Sequence, residues 1–467
     1  MITIDRKSYY VLGTGIFFFL SGVILVLLWP IVFNSFWEKV LVLNPDSESY
    51  KLWIKTPMPL FLEIYLFNWT NSEEFLKNKT IKPDFSEVGP FVFQEIHEKL
   101  NISWNDDNTV TYNQKRTWYF IPEKSVDLLV PITNLNVVVY TIAKKASNLN
   151  ILKKELINFL IYKYKEGLII QKPAKQWLFE GINDSLLNFI NKINPKLSPY
   201  DKFGWFYGRN ESSTYDGLFN VKTGSDDIHN LGVINKWNNE HQTKFFDGNC
   251  GIVQGSTSEL FPPLNNSQGD LNLFISDFCS PVSLTKSGTT VISDLEGYYY
   301  TGNENVFDNG SSFPNSKCYC SEECSPSGVR NETLCKGAPV FLSFPHFYLA
   351  DSSYVNSVTG LSPNKSKHEL YMIINPLTGL PLDVRAQFQI NILLESLPLF
   401  SMFFNLPKIY LPMMWFRQKI ELPEKLVSMG KALQFSKNLG YGMGFTISLF
   451  GFLMAIIRMM YISFKKT

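Results

Sequence analysis

The sequence lacks the common short motifs of catalysis. It has no H-E-x-x-H, no G-x-S-x-G and no P-loop, so zinc-protease, hydrolase and nucleotide-binding readings have no starting point. Its five histidines, His97, His229, His241, His346 and His368, are scattered, and none sits at metal-ligand spacing. His346, within Pro345-His346-Phe347, reads as a hydrogen-bonded structural residue rather than a catalyst. Acid pairs such as Asp106-Asp107 and Asp226-Asp227 read as turn residues. The sequence points away from an enzyme and calls for no cofactor or metal. Net charge is also small, at +1, and the balanced composition excludes collagen-like and disordered classes. Cysteine is scarce: there are six, all between Cys250 and Cys335.

Charge is missing altogether from two stretches. None occurs between Ser8 and Trp37, and the apolar part, Tyr9–Phe33, is 25 residues long. A second uncharged run, Asn438–Ile457, is 20 residues long. Each can cross a hydrocarbon core of about 30 Å as a helix. Nothing comparable lies between them. The first run exceeds the usual h-region of a cleaved signal peptide and exits through Trp29-Pro30-Ile31-Val32-Phe33 with no Ala-x-Ala site, so it reads as an uncleaved anchor. Arg6 and Lys7 flank the first run, and Arg458, Lys465 and Lys466 follow the second. Two short basic tails place both termini in the cytoplasm. The expected organisation is a tail at 1–8, a span at 9–33, a lumenal or extracellular domain at 34–436, a span at 437–460 and a tail at 461–467. Gly440, Gly444 and Ser448 form a small-xxx-small row in the second span. It reads either as a surface for pairing with the first span or with another copy of the chain, or as ordinary helix glycine, with a slight preference for the latter.

An even cysteine count in an exported segment implies disulfides. Cys318-x-Cys320-x3-Cys324 is compact enough to suggest zinc, but zinc sites favour C-x2–4-C pairs and reducing compartments. Three bridges are therefore expected, with every pairing open. Nine N-x-[ST] sequons, at Asn68, Asn78, Asn101, Asn183, Asn210, Asn265, Asn309, Asn331 and Asn364, are a mild excess over chance and mark acceptors compatible with export.

The exported segment is mixed in secondary structure. Leu382–Leu394 alternates: Leu382, Val384, Ala386, Phe388, Ile390, Ile392 and Leu394 on one face, Asp383, Arg385, Gln387, Gln389 and Asn391 on the other. That pattern predicts a long strand with one buried face. The turn Pro376-Leu377-Thr378-Gly379 joins it to a hairpin partner at Leu370–Ile374. Val110–Phe120 and Val137–Ile142, rich in Val, Thr and aromatics, are further strand candidates. Leu152, Leu156, Phe159, Leu160 and Lys163 follow helical spacing, as do Leu186, Phe189, Ile190 and Ile193 behind an N-cap at Asp184. A strand-rich core with a helical insertion predicts an α+β fold, with a barrel as one way to close it. The insertion is basic: Lys144–Lys175 holds eight lysines and two glutamates, on an otherwise mildly acidic segment. Such a patch attracts anionic ligands at long range, or it is simply the solvated face of surface helices. Nucleic acid is not an expected partner on this side of a membrane.

Several motifs together are recognisable. Phe203-Gly204-Trp205-Phe206-Tyr207-Gly208-Arg209, Thr223-Gly224-Ser225-Asp226-Asp227, Cys250-Gly251-Ile252-Val253-Gln254-Gly255 and Phe344-Pro345-His346-Phe347-Tyr348 lie in order along the chain. So do Tyr65-Leu66-Phe67-Asn68-Trp69-Thr70, Glu87-Val88-Gly89-Pro90-Phe91, Asn375-Pro376-Leu377-Thr378-Gly379 and Gln387-Phe388-Gln389-Ile390-Asn391. The chain resembles the class B scavenger receptor family, and its croquemort-like members in particular, over nearly its whole length. The resemblance implies a large antiparallel β-barrel ectodomain with a helical apex, anchored by one transmembrane helix at each end. It implies a hydrophobic tunnel through the domain. It implies a receptor that binds lipids, lipoproteins, apoptotic cells, microbes or other anionic particles for uptake. The alternative within the family is a lipid transporter or a lysosomal or endosomal cargo receptor. By the same resemblance the bridges are Cys250–Cys318, Cys279–Cys335 and Cys320–Cys324. On a strand, Cys318 and Cys320 would share a face and serve separate bridges. Lys163 and Lys165 match the family's ligand-binding lysines, with Lys153 and Lys154 beside them. Tail cysteines for palmitoylation and the acidic dileucine of the lysosomal branch are missing, and Lys465-Lys466 is out of dilysine register. The plasma membrane is the expected location, with endosomal or lysosomal membranes as the alternative, and oligomerisation is compatible with the spans.

Overall fold

The computed structural model describes residues 6–193, 200–264, 269–320 and 324–464. Asn265, Lys465 and Lys466 lie outside the described residues. The chain divides into two compact units: Met1–Tyr50 with Ser293–Leu295 and Pro423–Thr467, and Lys51–Ile292 with Glu296–Leu422.

The first unit is dominated by two helices, Arg6–Leu41 and Glu424–Phe464. Both are long and apolar enough to cross a membrane, and only 11% of each apolar window is buried. A core helix of a soluble protein would hide far more, because apolar surface facing water is costly. The two helices pair antiparallel, with Gly15 beside Ala455, Gly22 beside Ser448 and Trp29 beside Gly440. The start of the first helix and the end of the second therefore lie at one end of the pair. Trp29 Nε1 donates to the Lys437 carbonyl (2.9 Å) and Ser448 Oγ to the Phe19 carbonyl (3.3 Å). The reading of Gly440, Gly444 and Ser448 as ordinary helix residues is corrected here. The row meets the first helix, because small residues let the two backbones approach. At the tip of a hairpin, Asp294 accepts from Lys431 Nζ at 2.7 Å.

The second unit is a sheet of thirteen strands. Its continuous path runs Ile234–Trp237, Leu218–Lys222, Thr109–Phe120, Phe85–Trp104, Leu60–Trp69, Ile409–Ile420, Pro381–Leu394, Tyr371–Ile374, Leu295–Thr301, Ser280–Ile292 and Leu271–Ile275. Neighbours pair antiparallel throughout. The segment around Ser256 nearly closes the barrel, bridging Val233 at one edge and Leu273 at the other. Gly255 makes the approach feasible. Its φ is +97°, and a Cβ there would lie 2.5 Å from the Asn272 carbonyl oxygen.

Leu60–Trp69 shows why such segments are strands. Its burial alternates along LFLEIYLFNW, so one face packs into the core while the other meets its surroundings. The strand starts with Leu60 opposite both Ile420 and Glu95. Its far end, with the end of Pro381–Leu394, meets the helical insertion. Asn134 Nδ2 donates to the Phe67 carbonyl (2.8 Å), Tyr140 Oη donates to the Leu393 carbonyl (2.6 Å) and Lys144 pairs with Glu395.

Val137–Ile142 is not a strand. It belongs to the helix Val137–Ala146, capped by Asn136, whose Oδ1 accepts from Val139 N–H. Val137, Val138, Val139 and Tyr140 are all buried. A helix whose first turn is buried all round loses the alternation there and keeps only its β-branched composition, which misleads a propensity reading.

Pro381–Leu394 is the expected strand, but both its faces are covered. Gln387, Gln389 and Asn391 are fully buried. Gln389 Oε1 accepts from His346 N–H (2.6 Å), Asn391 Nδ2 donates to Ser343 Oγ (3.0 Å), and Gln387 Nε2 donates to the Glu369 carbonyl (2.7 Å). The expectation of one buried face is corrected: His346 N–H, Ser343 Oγ, the Glu369 carbonyl and Arg417 meet the polar side chains of the other face. Complete hydrogen bonding makes that burial tolerable.

His346 is structural in this sense. Its Nε2 meets Glu87 Oε2 at 2.7 Å, its Nδ1 accepts from Ser362 N–H at 3.2 Å, and its ring stacks on His368 with centroids 4.5 Å apart. His368 Nδ1 accepts from Asn364 N–H at 3.1 Å. Burial, then the neighbouring His346, pushes His368 down to about 3, against the pull of Glu87. A histidine held neutral in the fold contributes stability above its unfolded pKa of about 6.5 and loses it as pH falls towards the folded value, at about 1.4 kcal/mol per unit. From about pH 7 to about pH 5 this residue alone should remove about 2 kcal/mol. His368→Asn keeps an acceptor for Asn364 and does not titrate. Denaturant unfolding of that variant should show a correspondingly shallower acid loss, and parallel curves for variant and parent would refute the assignment.

Candidate functional site

The helical insertion carries the lysines singled out in the sequence. The helix Ile151–Lys163 begins at Asn150, whose Oδ1 accepts from Lys153 N–H at 3.0 Å. It buries Leu160 and Ile161 and ends as Lys165 turns left-handed, with φ +55° and its N–H on the Tyr162 carbonyl. The ring of Tyr164 lies 5.6 Å from that of Phe189 on the helix Ser185–Ile193. Asp184 caps that second helix, accepting from Leu187 N–H at 2.7 Å. Between the two helices run the strand Ile169–Pro173, paired to Pro131–Leu135, and a π-turn at Gln176–Glu180.

The structure sorts the eight lysines, of which Lys145 is exposed in the last turn of the helix Val137–Ala146. Lys144 pairs with Glu395 and Lys175 with Glu180 (3.1 Å). Lys172 lies near Glu166 and Asp184, whose carboxyls burial pushes up. Lys153, Lys163 and Lys165 are exposed and Lys154 half-buried. Among the described residues these four have no acidic group within ion-pair distance. Lys163 also sits at the helix C-terminus, where a cation complements the unsatisfied carbonyls, and its Nζ lies 5.9 Å from the centre of the Tyr164 ring.

The apolar stripe on this helix does not face the core. Leu152, Leu156 and Phe159 are 83%, 56% and 58% exposed, and Tyr162 is 82% exposed. Helical spacing finds a stripe but cannot say what lies opposite it.

Three disulfides join Cys250 to Cys318, Cys279 to Cys335 and Cys320 to Cys324, with Cα separations of 5.8, 6.1 and 5.1 Å. Cys318 lies in the 3₁₀ turn Pro314–Tyr319, with Cys320 just after it. The expectation that this pair sits on a strand is corrected: a turn, rather than the pleat, points the two sulfurs to different partners. Among the sequons, Asn78, Asn101, Asn183, Asn210 and Asn364 are exposed, while Asn68, Asn309 and Asn331 are half-buried. Asn68 and Asn210 also have local work, since their Oδ1 atoms accept from Thr133 and Trp118 N–H at 2.8 and 2.9 Å.

A buried ionic cluster was not legible in the sequence. Glu95, His97 and Lys99 alternate along Phe85–Trp104 on one face. His97 lies between Glu95 (2.6 Å) and Glu259, and Lys99 pairs with Glu259 and donates to Gln114 Oε1 (2.9 Å). It continues through Arg116 and Asp216 (2.6 Å), and Asp277 binds both Arg209 (2.8 Å) and Lys336 (3.1 Å). Charged residues at strand spacing signal an exposed face, and only the fold shows this one covered.

The model of the CD36 family matches residues 13–462. Protein peste of Drosophila melanogaster is 34% identical over 418 residues, covering 89% of this chain and 75% of that protein. Scavenger receptor class B member 1 of Mus musculus is 28% identical over 458 residues, covering 94% and 88%. Lysosome membrane protein 2 of Homo sapiens is 32% identical over 406 residues, covering 85% and 82%. The family is one of receptors rather than enzymes. Paired apolar terminal helices, a nearly closed antiparallel barrel, three disulfides and a match over almost the whole chain lead to one assignment: this protein belongs to the CD36 family.

Proposed function

We propose that this protein is a class B scavenger receptor that captures anionic lipid surfaces, on dying cells, microbes or lipoproteins, through the lysines of the Ile151–Lys163 helix and its C-terminal turn. The observation that supports this reading most directly is the partition of the basic segment. Lys144 and Lys175 are paired, while Lys153, Lys163 and Lys165 stand exposed without an acidic partner among the described residues. An ammonium on a flexible stem suits phosphate and carboxylate groups without demanding one approach geometry. The same reading places both termini in the cytoplasm, the barrel outside the cell and uptake at the plasma membrane. Lipid passage through the barrel is part of the family reading, and a bulky substitution that blocks it should leave particle capture intact.

Each lysine near an anionic membrane contributes about 1 kcal/mol. Lys163→Ala with Lys165→Ala should therefore weaken binding to phosphatidylserine vesicles about thirtyfold at low salt, and leave binding to phosphatidylcholine vesicles unchanged. Equal binding of the parent to both vesicle types, or a double variant that matches the parent, would count against these lysines. Steady-state location separates this reading from an intracellular cargo receptor.

A further inference from the structure

The exposed stripe on Ile151–Lys163 raises a question that the lysines do not answer. Leu152, Leu156 and Phe159 recur at helical spacing on one side, and all three are more than half exposed, with Tyr162 near them. Ser401 ties a second segment to the same helix, its N–H and Oγ lying 3.3 and 3.4 Å from Asn158 Oδ1. That segment carries Leu399 (46% exposed) and Phe404 (59% exposed). Soluble surfaces seldom present contiguous apolar patches of this kind unless something covers them.

The charges at the ends of the helix identify the occupant. Lys153 stands at its start, and Lys163 and Lys165 at its finish, all exposed and without an acidic partner among the described residues. A second copy docked helix against antiparallel helix would bring Lys163 of one onto Lys153 of the other across an interface of low dielectric, which like charges oppose. One glutamate, Glu155, offsets only part of that repulsion. A lipid surface meets both requirements together. Its acyl region accepts Leu152, Leu156 and Phe159, and its phosphates lie where lysine stems reach back from the apolar level. Tyr162 suits the boundary, with an apolar ring and a polar tip.

Building on the lipid-surface reading above, we infer that this helix inserts its Leu152-Leu156-Phe159 stripe shallowly into the lipid layer of the bound particle, with the lysines held at the headgroup phosphates. Capture then has two separable parts. The lysine part is long-ranged and screened by salt. The apolar part operates only at contact and persists at high salt.

The test uses the full chain in nanodiscs and vesicles of phosphatidylserine mixed with phosphatidylcholine. Leu152→Ser with Phe159→Ser, lysines intact, should lose about tenfold or more in affinity and most of the binding that survives high salt. Lys163→Ala with Lys165→Ala should lose mainly the low-salt component. Because all six cysteines are in disulfides, Phe159→Cys supplies a single thiol for an environment-sensitive dye. On vesicle binding its emission should shift to the blue and be quenched by brominated acyl chains, while a label at the exposed Gln171→Cys should show neither. A dye at 159 that stays aqueous on vesicle-bound protein, with a serine variant that binds as the parent does, overturns insertion and leaves capture by headgroup charge. A serine variant that changes only self-association assigns the stripe to a second copy and overturns insertion equally. A parent that binds neither vesicle type removes the lipid-surface reading itself, and insertion with it.

Discussion

Glu259→Ala is expected to cost about 3–5 kcal/mol of folding stability, the usual penalty for removing one partner from a buried ion pair. The Lys99 side chain has no exposed surface and that of Glu259 is 16% exposed. Burial already pulls the Lys99 ammonium below its ordinary value, and Glu259 is the first of the groups that oppose this. Burial likewise resists ionisation of Glu259, but Lys99 and His97 outweigh it and hold the carboxyl far below the usual carboxylate range. Without Glu259 the ammonium keeps Gln114 and the rings of Tyr112 and Trp53, at 5.6 and 5.9 Å. None of these neutralises a charge. The alanine variant should reach its denaturant midpoint earlier with an unchanged slope, and a loss under about 1 kcal/mol would mean that water reaches Lys99.

The same cluster has a pH window. Glu259, depressed in the fold, contributes stability above its unfolded pKa near 4.5 and loses it in acid. Burial disfavours the charged form of His97, yet Glu95 and Glu259 raise its pKa overall. Its contribution is complete below about pH 6.5 and is lost as pH rises through the folded value. The two overlap between about pH 4.5 and 6.5. This opposes the acid loss assigned to His368, so the two histidines must be replaced separately to be seen.

Gly22→Leu should break the helix pair. A Cβ at Gly22 would lie 2.4 Å from Ser448 N and 2.6 Å from the Gly444 carbonyl oxygen. Both are backbone atoms and cannot rotate away, so the helices must separate. With them would go the Ser448–Phe19 hydrogen bond and the Phe19–Phe452 ring contact at 5.8 Å. Overpacking costs about 1–3 kcal/mol, which corresponds to pairing weakened by between about fivefold and about 150-fold. Cysteines placed at Phe19 and Phe452 should cross-link readily in the parent background and about tenfold more slowly beside Gly22→Leu. Gly13→Leu is the control, since a Cβ there meets nothing within 4 Å. Cross-linking that Gly22→Leu leaves unchanged would mean that the small row is not what holds the pair.

Pro381–Leu394 shows how far sequence patterning reaches in this protein. Its period of two names the strand because the pleat is local geometry. It assigns Gln387, Gln389 and Asn391 to the outside, and the structure buries all three, with His346 N–H and Ser343 Oγ bonded to Gln389 and Asn391. Those partners lie some forty positions away, and nothing within the strand announces them. The helix Ile151–Lys163 fails in the opposite sense. Its apolar spacing was legible, but spacing alone does not say whether a stripe meets a core or open solvent.

Length, local period and charge content are properties of contiguous residues. The sequence alone therefore determined the two apolar spans, the strands at Val110–Phe120 and Leu382–Leu394, the Asp184-capped helix, and a segment with eight lysines against two glutamates. Burial and pairing depend on residues far apart in the chain. Only the tertiary structure decided that Val137–Ala146 is a helix with its first turn buried, that Lys144 and Lys175 are neutralised while Lys153, Lys163 and Lys165 stand free of acidic partners among the described residues, and that Glu95, His97, Lys99 and Glu259 face one another largely away from water. The physical reason is that a side chain's free energy is set by what the fold brings against it, and each of these groups meets partners that lie elsewhere in the sequence.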